Sequence, residues 1–285
     1  MGARRTTVAF FETRKVLCEG QGMGQVRLKA RTVSVATLTQ DTKDELFSLM
    51  QKYYAHTTKA QFEMDLANKD HIILLQNSPD SPILGFSTLQ KLTFSLDGKT
   101  VIGVFSGDTV IDQSCWGQGS LGVAFLKYLF WNRLRAPFSP LYWFLISKGY
   151  KTYLLMANNF PKHYPRFEGS TPHHAQRIMN HFAVSLFGDC YDRKNGLVVY
   201  PDVSSHIKAG IASIDENLVK ENPRVQFFTE RNPQWHEGNE LVCLAEMTWL
   251  MPLHYWLKKQ RQRFSRVLST MKQETGDTNI KQCKS

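Results

Sequence analysis

The sequence predicts an α+β fold, and three observations predict it. Hydrophobic residues make up 42% of the 285 residues and aromatics 12%, which suits a large core and excludes a disordered chain. Apolar spacing switches between strand and helix periods in the order strand, two helices, several strands, helix, strand, helix, strands. That order lacks the regular strand–helix repeat of a parallel α/β sheet.

Residues 1–31 are rich in Gly and Arg, carry little periodicity and read as a basic lead. Thr32 to Leu38 alternates small and β-branched residues and reads as a strand. Thr39 is the N-cap expected for a helix with Leu46, Leu49, Met50 and Tyr53 on one face. A second helix is expected at Lys59 to Ala67, then a buried strand at His71 to Gln76. Ile83 to Phe94 and Thr100 to Ile111 read as two long strands, joined by the hairpin signal Leu96-Asp97-Gly98-Lys99.

A Gly-containing turn follows, then a helix at Val123 to Leu134. Leu141 to Ser147 reads as a short apolar helix ending at Gly149, and Lys151 to Ala157 as a strand. Thr171-Pro172 opens a helix with Ile178, Met179, Phe182 and Leu186 on one face. Val225 to Phe228 and Glu240 to Met247 read as late strands, and Trp249 to Met271 as a basic amphipathic helix. The expected domains are thus a lead at 1–31, a folded body at 32–248 and a basic helix and tail at 249–285.

The net charge of +10 invites a nucleic-acid reading, but it is unevenly placed. Residues 1–31 hold seven bases and two acids, and residues 254–285 hold eight and two. The body between them holds 20 bases and 21 acids, so no nucleic acid is expected as partner. Five cysteines, odd in number and without a C-x-x-C pair, point to a reducing compartment and a cytoplasmic protein. His173, His174 and His181 lack the spacing and partners of a metal site, and no metal is expected. The longest apolar stretch, Leu121 to Ile146, is broken by Lys127, Arg133, Arg135, Pro137 and Pro140, so no membrane span is expected.

The informative motif is Val110-Ile111-Asp112-Gln113-Ser114-Cys115-Trp116-Gly117-Gln118-Gly119-Ser120-Leu121-Gly122. A strand runs into a glycine turn and then a helix, whose free N–H groups and dipole favour an anion. Here the chain resembles the GNAT acyltransferase superfamily, whose pyrophosphate loop reads Arg/Gln-x-x-Gly-x-Gly/Ala between a strand and a helix. Gly117 and Gly119 match, Trp116 stands where Arg or Gln is usual, and Leu121 stands where the last Gly is usual. The opening strand, two helices and long hairpin are similar to the family's opening, over roughly residues 32–200.

The resemblance implies a central mixed, mostly antiparallel sheet flanked by helices, here with a C-terminal extension. It also implies acyl transfer from acyl-CoA or an acyl carrier protein to an amine or hydroxyl acceptor. No permanently bound cofactor is implied. Val110 or Ile111 would polarise the acyl carbonyl through a backbone N–H, and Trp116, Gly117, Gln118, Gly119, Ser120, Leu121 and Gly122 would hold the phosphates. Taking Lys151 to Ala157 as the family's fifth strand makes Tyr164 the acid for the departing thiolate and Asn158 an orienting group. Asp108 is a candidate base, or else a bulge residue beside Gly107.

The aromatic run from Phe125 to Phe144 reads either as core or as a tunnel for a medium or long acyl chain. The C-terminal helix is a candidate for peripheral membrane contact. A non-catalytic acyl- or partner-binding module on the same fold is the alternative, as is an anionic membrane or nucleic-acid binder working through the basic ends.

Overall fold

The computed structural model describes residues 28–54, 57–116, 118–200, 214 and 216–261. Most of the basic lead, Gly117 and the tail beyond 261 lie outside the described residues. The chain divides into two compact units, Met1–Met247 and Thr248–Ser285.

The first unit is built on a mixed sheet of nine strands. They are β1 (Lys29–Ser34), β2 (His71–Gln76), β3 (Gly85–Leu96), β4 (Lys99–Ile111), β5 (Leu141–Ser147), β6 (His163–Tyr164), β7 (Tyr191–Asp192), β8 (Leu197–Val198) and β9 (Glu240–Glu246). The order is β1-β2-β3-β4-β5-β9-β8-β7, with β6 on β9. β4 and β5 run parallel, and the other paired strands run antiparallel. This is the mixed, mostly antiparallel sheet that the resemblance implies, in the α+β class that the sequence predicts.

The helices of this unit are α1 (Gln40–Tyr53), α2 (Lys59–Ala67), α3 (Ser120–Arg135), α4 (Tyr150–Asn159), α5 (His173–Phe187), α6 (Glu216–Glu221) and α7 (Pro223–Arg231). Thr39 and Thr58 cap α1 and α2, each hydroxyl accepting the N–H three residues on. Leu46, Met50, Phe62 and Leu66 from these helices meet Ile72, Leu74, Phe86 and Val110 in one core. Phe105, Phe144, Val242 and Leu244 meet Ile178, Met179 and Phe182 of α5 in another.

Three expected elements differ. Leu141 to Ser147 is the strand β5, with every residue buried, because it is the sheet's interior parallel strand. Lys151 to Ala157 lies in helix α4, whose N-cap Gly149 stands two residues after β5 ends. Val225 to Phe228 lies in helix α7, capped by Asn222 and opened by Pro223.

The aromatic run is mostly core. Trp143 packs on Phe125 of α3 at 4.8 Å and on Phe160 at 5.0 Å, and Phe144 packs on Phe182 at 5.4 Å between ring centroids. In the second unit, residues 251–261 form a helix, α8. No helix among the described residues is long and apolar enough to cross a membrane.

Candidate active site

β4 and β5 pair only from Ile102↔Leu141 to Phe105↔Phe144. Beyond that point β4 continues to Ile111 along β3, and β5 continues to Ser147 along β9. The two parallel strands therefore part, and the gap opens at the carboxyl ends of both. A bulge in β4 marks the parting. Ser87 pairs with Thr109 and Leu89 with Ser106, so Thr88 alone faces Gly107 and Asp108. Asp108 therefore lies in a β-bulge.

The edge of β4 along the gap carries backbone donors. Asp112 N–H donates to Leu84 O at 2.8 Å, toward β3. N–H direction alternates along a strand, so Val110 also points to β3 while Thr109 and Ile111 point to the edge that β5 has left. Trp116 Nε1–H donates to Ile111 O at 2.9 Å and fixes the strand end.

The loop after β4 is held from both sides. Tyr53 Oη accepts Gln113 N–H at 2.7 Å, and Asp112 Oδ1 accepts Ser114 N–H at 3.1 Å. Gln118 Oε1 accepts Leu28 N–H, and Ser120 Oγ donates to Leu28 O, both at 3.1 Å. Gly119 has φ +73°, the left-handed conformation that lets the chain turn directly into α3. The first turn of α3 contains no acid, so its dipole is not neutralised there.

Leu121 is fully buried in the core, and a Cβ added at Gly122 would meet nothing within 4 Å among the described residues. The leucine in the usual glycine position therefore points away from the cradle, and the glycine one residue later keeps the outer surface clear. Lys151 Nζ lies 6.0 Å from the Trp116 ring centroid, bringing a positive charge beside the loop.

A buried polar cluster lies at the gap. Asp108 follows the row of Val110, on the face where Tyr54 packs at the end of α1. Lys148 lies two residues beyond Ile146 and Glu240 two before Val242, so both extend the α5-side core row. Lys148 Nζ is 3.3 Å from Glu240 Oε1. Tyr54, Asp108, Lys148 and Glu240 are all buried. Beside that ion pair, neither Glu240 nor Tyr54 Oη has a hydrogen-bond partner among the described residues.

These groups feel one another's charge. Burial pushes Glu240 up to about 7, the Asp108 charge pushes the same way, and Lys148 opposes both. Burial, then Asp108 and Glu240, hold the Tyr54 hydroxyl well above its ordinary value, so it stays protonated. Sequence reasoning found Asp108 and missed Tyr54, Lys148 and Glu240. Their only signal was a charge set inside an apolar run, as in Ile146-Ser147-Lys148 and Glu240-Leu241-Val242.

Tyr164 and Asn158 stand elsewhere. Tyr164 lies on β6, beyond β5 and β9 from β4, a separation of about 14 Å at ordinary strand spacing. Asn158 Oδ1 accepts Arg224 Nη1–H at 2.7 Å, and the same guanidinium is bound by Ala157 O and Glu168. Their assignment rested on a strand at Lys151 to Ala157, which is α4. Of the histidines, His181 stacks on Phe94 at 3.7 Å. Among the described residues no group of three His, Cys, Asp or Glu is placed to hold a metal.

No protein-family model matches the sequence, and no curated protein matches it. Solved structures do. One is a conserved Enterococcus faecalis protein described as a probable N-acyltransferase, at 13% identity and TM-score 0.34 over 45% of this chain and 32% of that one. The chain thus spans about a third of that protein's length. A Trypanosoma brucei acetyltransferase matches at 19% identity and TM-score 0.33, over 49% of this chain and 96% of that one. The Escherichia coli ribosomal-protein-S18-alanine N-acetyltransferase matches at 16% identity and TM-score 0.32, over 50% and 87%. By its strand order, its bulged and parted fourth strand and the glycine turn that opens α3, the chain has a divergent GNAT-like fold.

Proposed function

We propose that the chain is an acyltransferase that takes an acyl group from acyl-CoA, or from an acyl carrier protein, and gives it to an amine or hydroxyl. The observation that carries this reading is the parted β4–β5 pair leading into a glycine turn with no acid in the first turn of α3. The pantetheine arm is an extended chain of amides. It would add to the vacated edge of β4 as a strand would, through Thr109 and Ile111. Its phosphates would lie on the N-terminus of α3 at Gly119 to Gly122, with Lys151 nearby.

That placement brings the thioester to the bulge. The Ile111 N–H faces the gap and would polarise the carbonyl. Asp108 would take the proton of the attacking nucleophile. The Tyr54 hydroxyl, protonated and without a hydrogen-bond partner among the described residues, would supply a proton to the departing thiolate. Glu240 and Lys148 set the charge around Asp108, and Glu240 is the member that titrates near neutrality. Burial of all four groups would keep water from the thioester.

The test is acyl-dependent release of free thiol by the full chain, using acyl-CoA donors of increasing length with an amine or an alcohol as acceptor. Release that needs both substrates supports the reading, and the donor series reports the preferred chain length. Coenzyme A binding without any release would make the chain a non-catalytic acyl-binding module.

A further inference from the structure

From Gln113 to Phe167 the chain carries seven bases and no Asp or Glu. The helix α3 lies inside this stretch. Its inner stripe, Leu121, Phe125, Leu129 and Asn132, is buried in the fold. Its outer stripe is Val123, Lys127, Trp131, Leu134 and Arg135, all exposed and spaced as one helical face. The Arg135 guanidinium lies 4.9 Å from the Trp131 ring centroid. Phe138 follows in the turn between Pro137 and Pro140, 97% exposed. None of these outer rings serves the core, and the stretch of chain that carries them holds no acid.

The second unit shows the same composition by itself. In α8 and the turn before it, Leu250, Leu253, Trp256 and Leu257 are exposed, with Lys259 and Arg261 exposed beside them. No acid occurs between residues 247 and 273.

We propose that the protein docks on an anionic lipid bilayer through the aromatic and basic stripe of α3 with Phe138, and that α8 is a second lipid-facing element. Charge complementarity selects the partner. Lys and Arg reach lipid phosphates while Trp and Phe enter the headgroup boundary. A folded acidic protein would meet the bases equally well. A single ring standing clear on a proline-held turn suits a soft apolar medium better than a packed polar surface. Lipid docking is independent of acyl transfer.

Co-sedimentation of the full chain with vesicles tests it, comparing phosphatidylcholine alone with phosphatidylcholine plus phosphatidylglycerol. Sedimentation with the anionic vesicles is expected, weakening as salt rises. The pair Trp131→Ser with Phe138→Ser is expected to weaken partitioning about tenfold, since each removes apolar area from the lipid boundary. Trp256→Ser with Leu257→Ser is expected to weaken it independently. All four side chains are exposed, and unchanged circular dichroism would verify that the variants fold. Sedimentation with neither vesicle, equal sedimentation with both, or partitioning untouched by the α3 pair would overturn the proposal. So would retention by an acidic carrier protein in the absence of vesicle binding.

Discussion

Lys148 Nζ lies 3.3 Å from Glu240 Oε1, with both side chains buried where β4 has parted from β5. An ion pair taken out of water here is a costly element of the core. The Glu240 charge acts on the Tyr54 hydroxyl, and the Asp108 charge acts on both.

Breaking this pair from one side leaves a buried charge without its partner. Lys148→Met is expected to lower the unfolding free energy by about 3–5 kcal/mol, whereas Lys148→Met with Glu240→Leu is expected to recover most of it. Urea unfolding of the two variants checks this. Equal destabilisation by both would mean that packing, and not charge, decides.

Glu240 also sets a pH dependence. Its folded value is about 7 against an ordinary 4.5. Between those values the native state holds a proton that the unfolded chain has lost. Stability is therefore expected to fall as pH rises through that window and to level off above it. Glu240→Gln should flatten this slope. Urea midpoints taken from about pH 5 to about pH 8 would show it.

Tyr54→Phe separates structure from chemistry. The hydroxyl is buried and makes no hydrogen bond among the described residues, so its removal is expected to leave stability unchanged or raise it by up to about 1 kcal/mol. Thiol release should nevertheless fall. Asp108→Asn should lower turnover about a hundredfold or more, as loss of a proton acceptor does. A Tyr54→Phe variant with full turnover would remove that hydroxyl from the proposed site.

Gly103→Ala probes the α5 side of the sheet. A methyl group there would run into the Phe182 ring, in a core that cannot give way cheaply. A loss of about 1–3 kcal/mol in thermal or urea unfolding is expected.

The first half of the fold was legible because its signals are local. Thr39 caps α1, α2 covers Lys59–Ala67, and Asp97-Gly98 turns the long hairpin. The exchange at residues 141–157 has a physical cause. Leu141 to Ser147 is an interior strand buried on both faces, so it shows no alternation to tell strand from helix. That exchange removes the strand on which the roles of Tyr164 and Asn158 were placed. At α7 the signal existed, since Asn222-Pro223 is a cap and first-turn pair. Tyr54, Asp108, Lys148 and Glu240 come from four separated segments, and only the sheet brings them together.

Calorimetric titration of the full chain with coenzyme A, set beside Gly122→Leu, tests the central claim most directly. A Cβ at Gly122 meets nothing within 4 Å among the described residues, and Leu is the better helix former, so the variant should be at least as stable as the parent. If the phosphates lie on the first turn of α3, the parent binds coenzyme A and the variant binds it at least tenfold more weakly, a difference of about 1.4 kcal/mol. Equal affinity in the two proteins, or no heat of binding in the parent, would contradict the account.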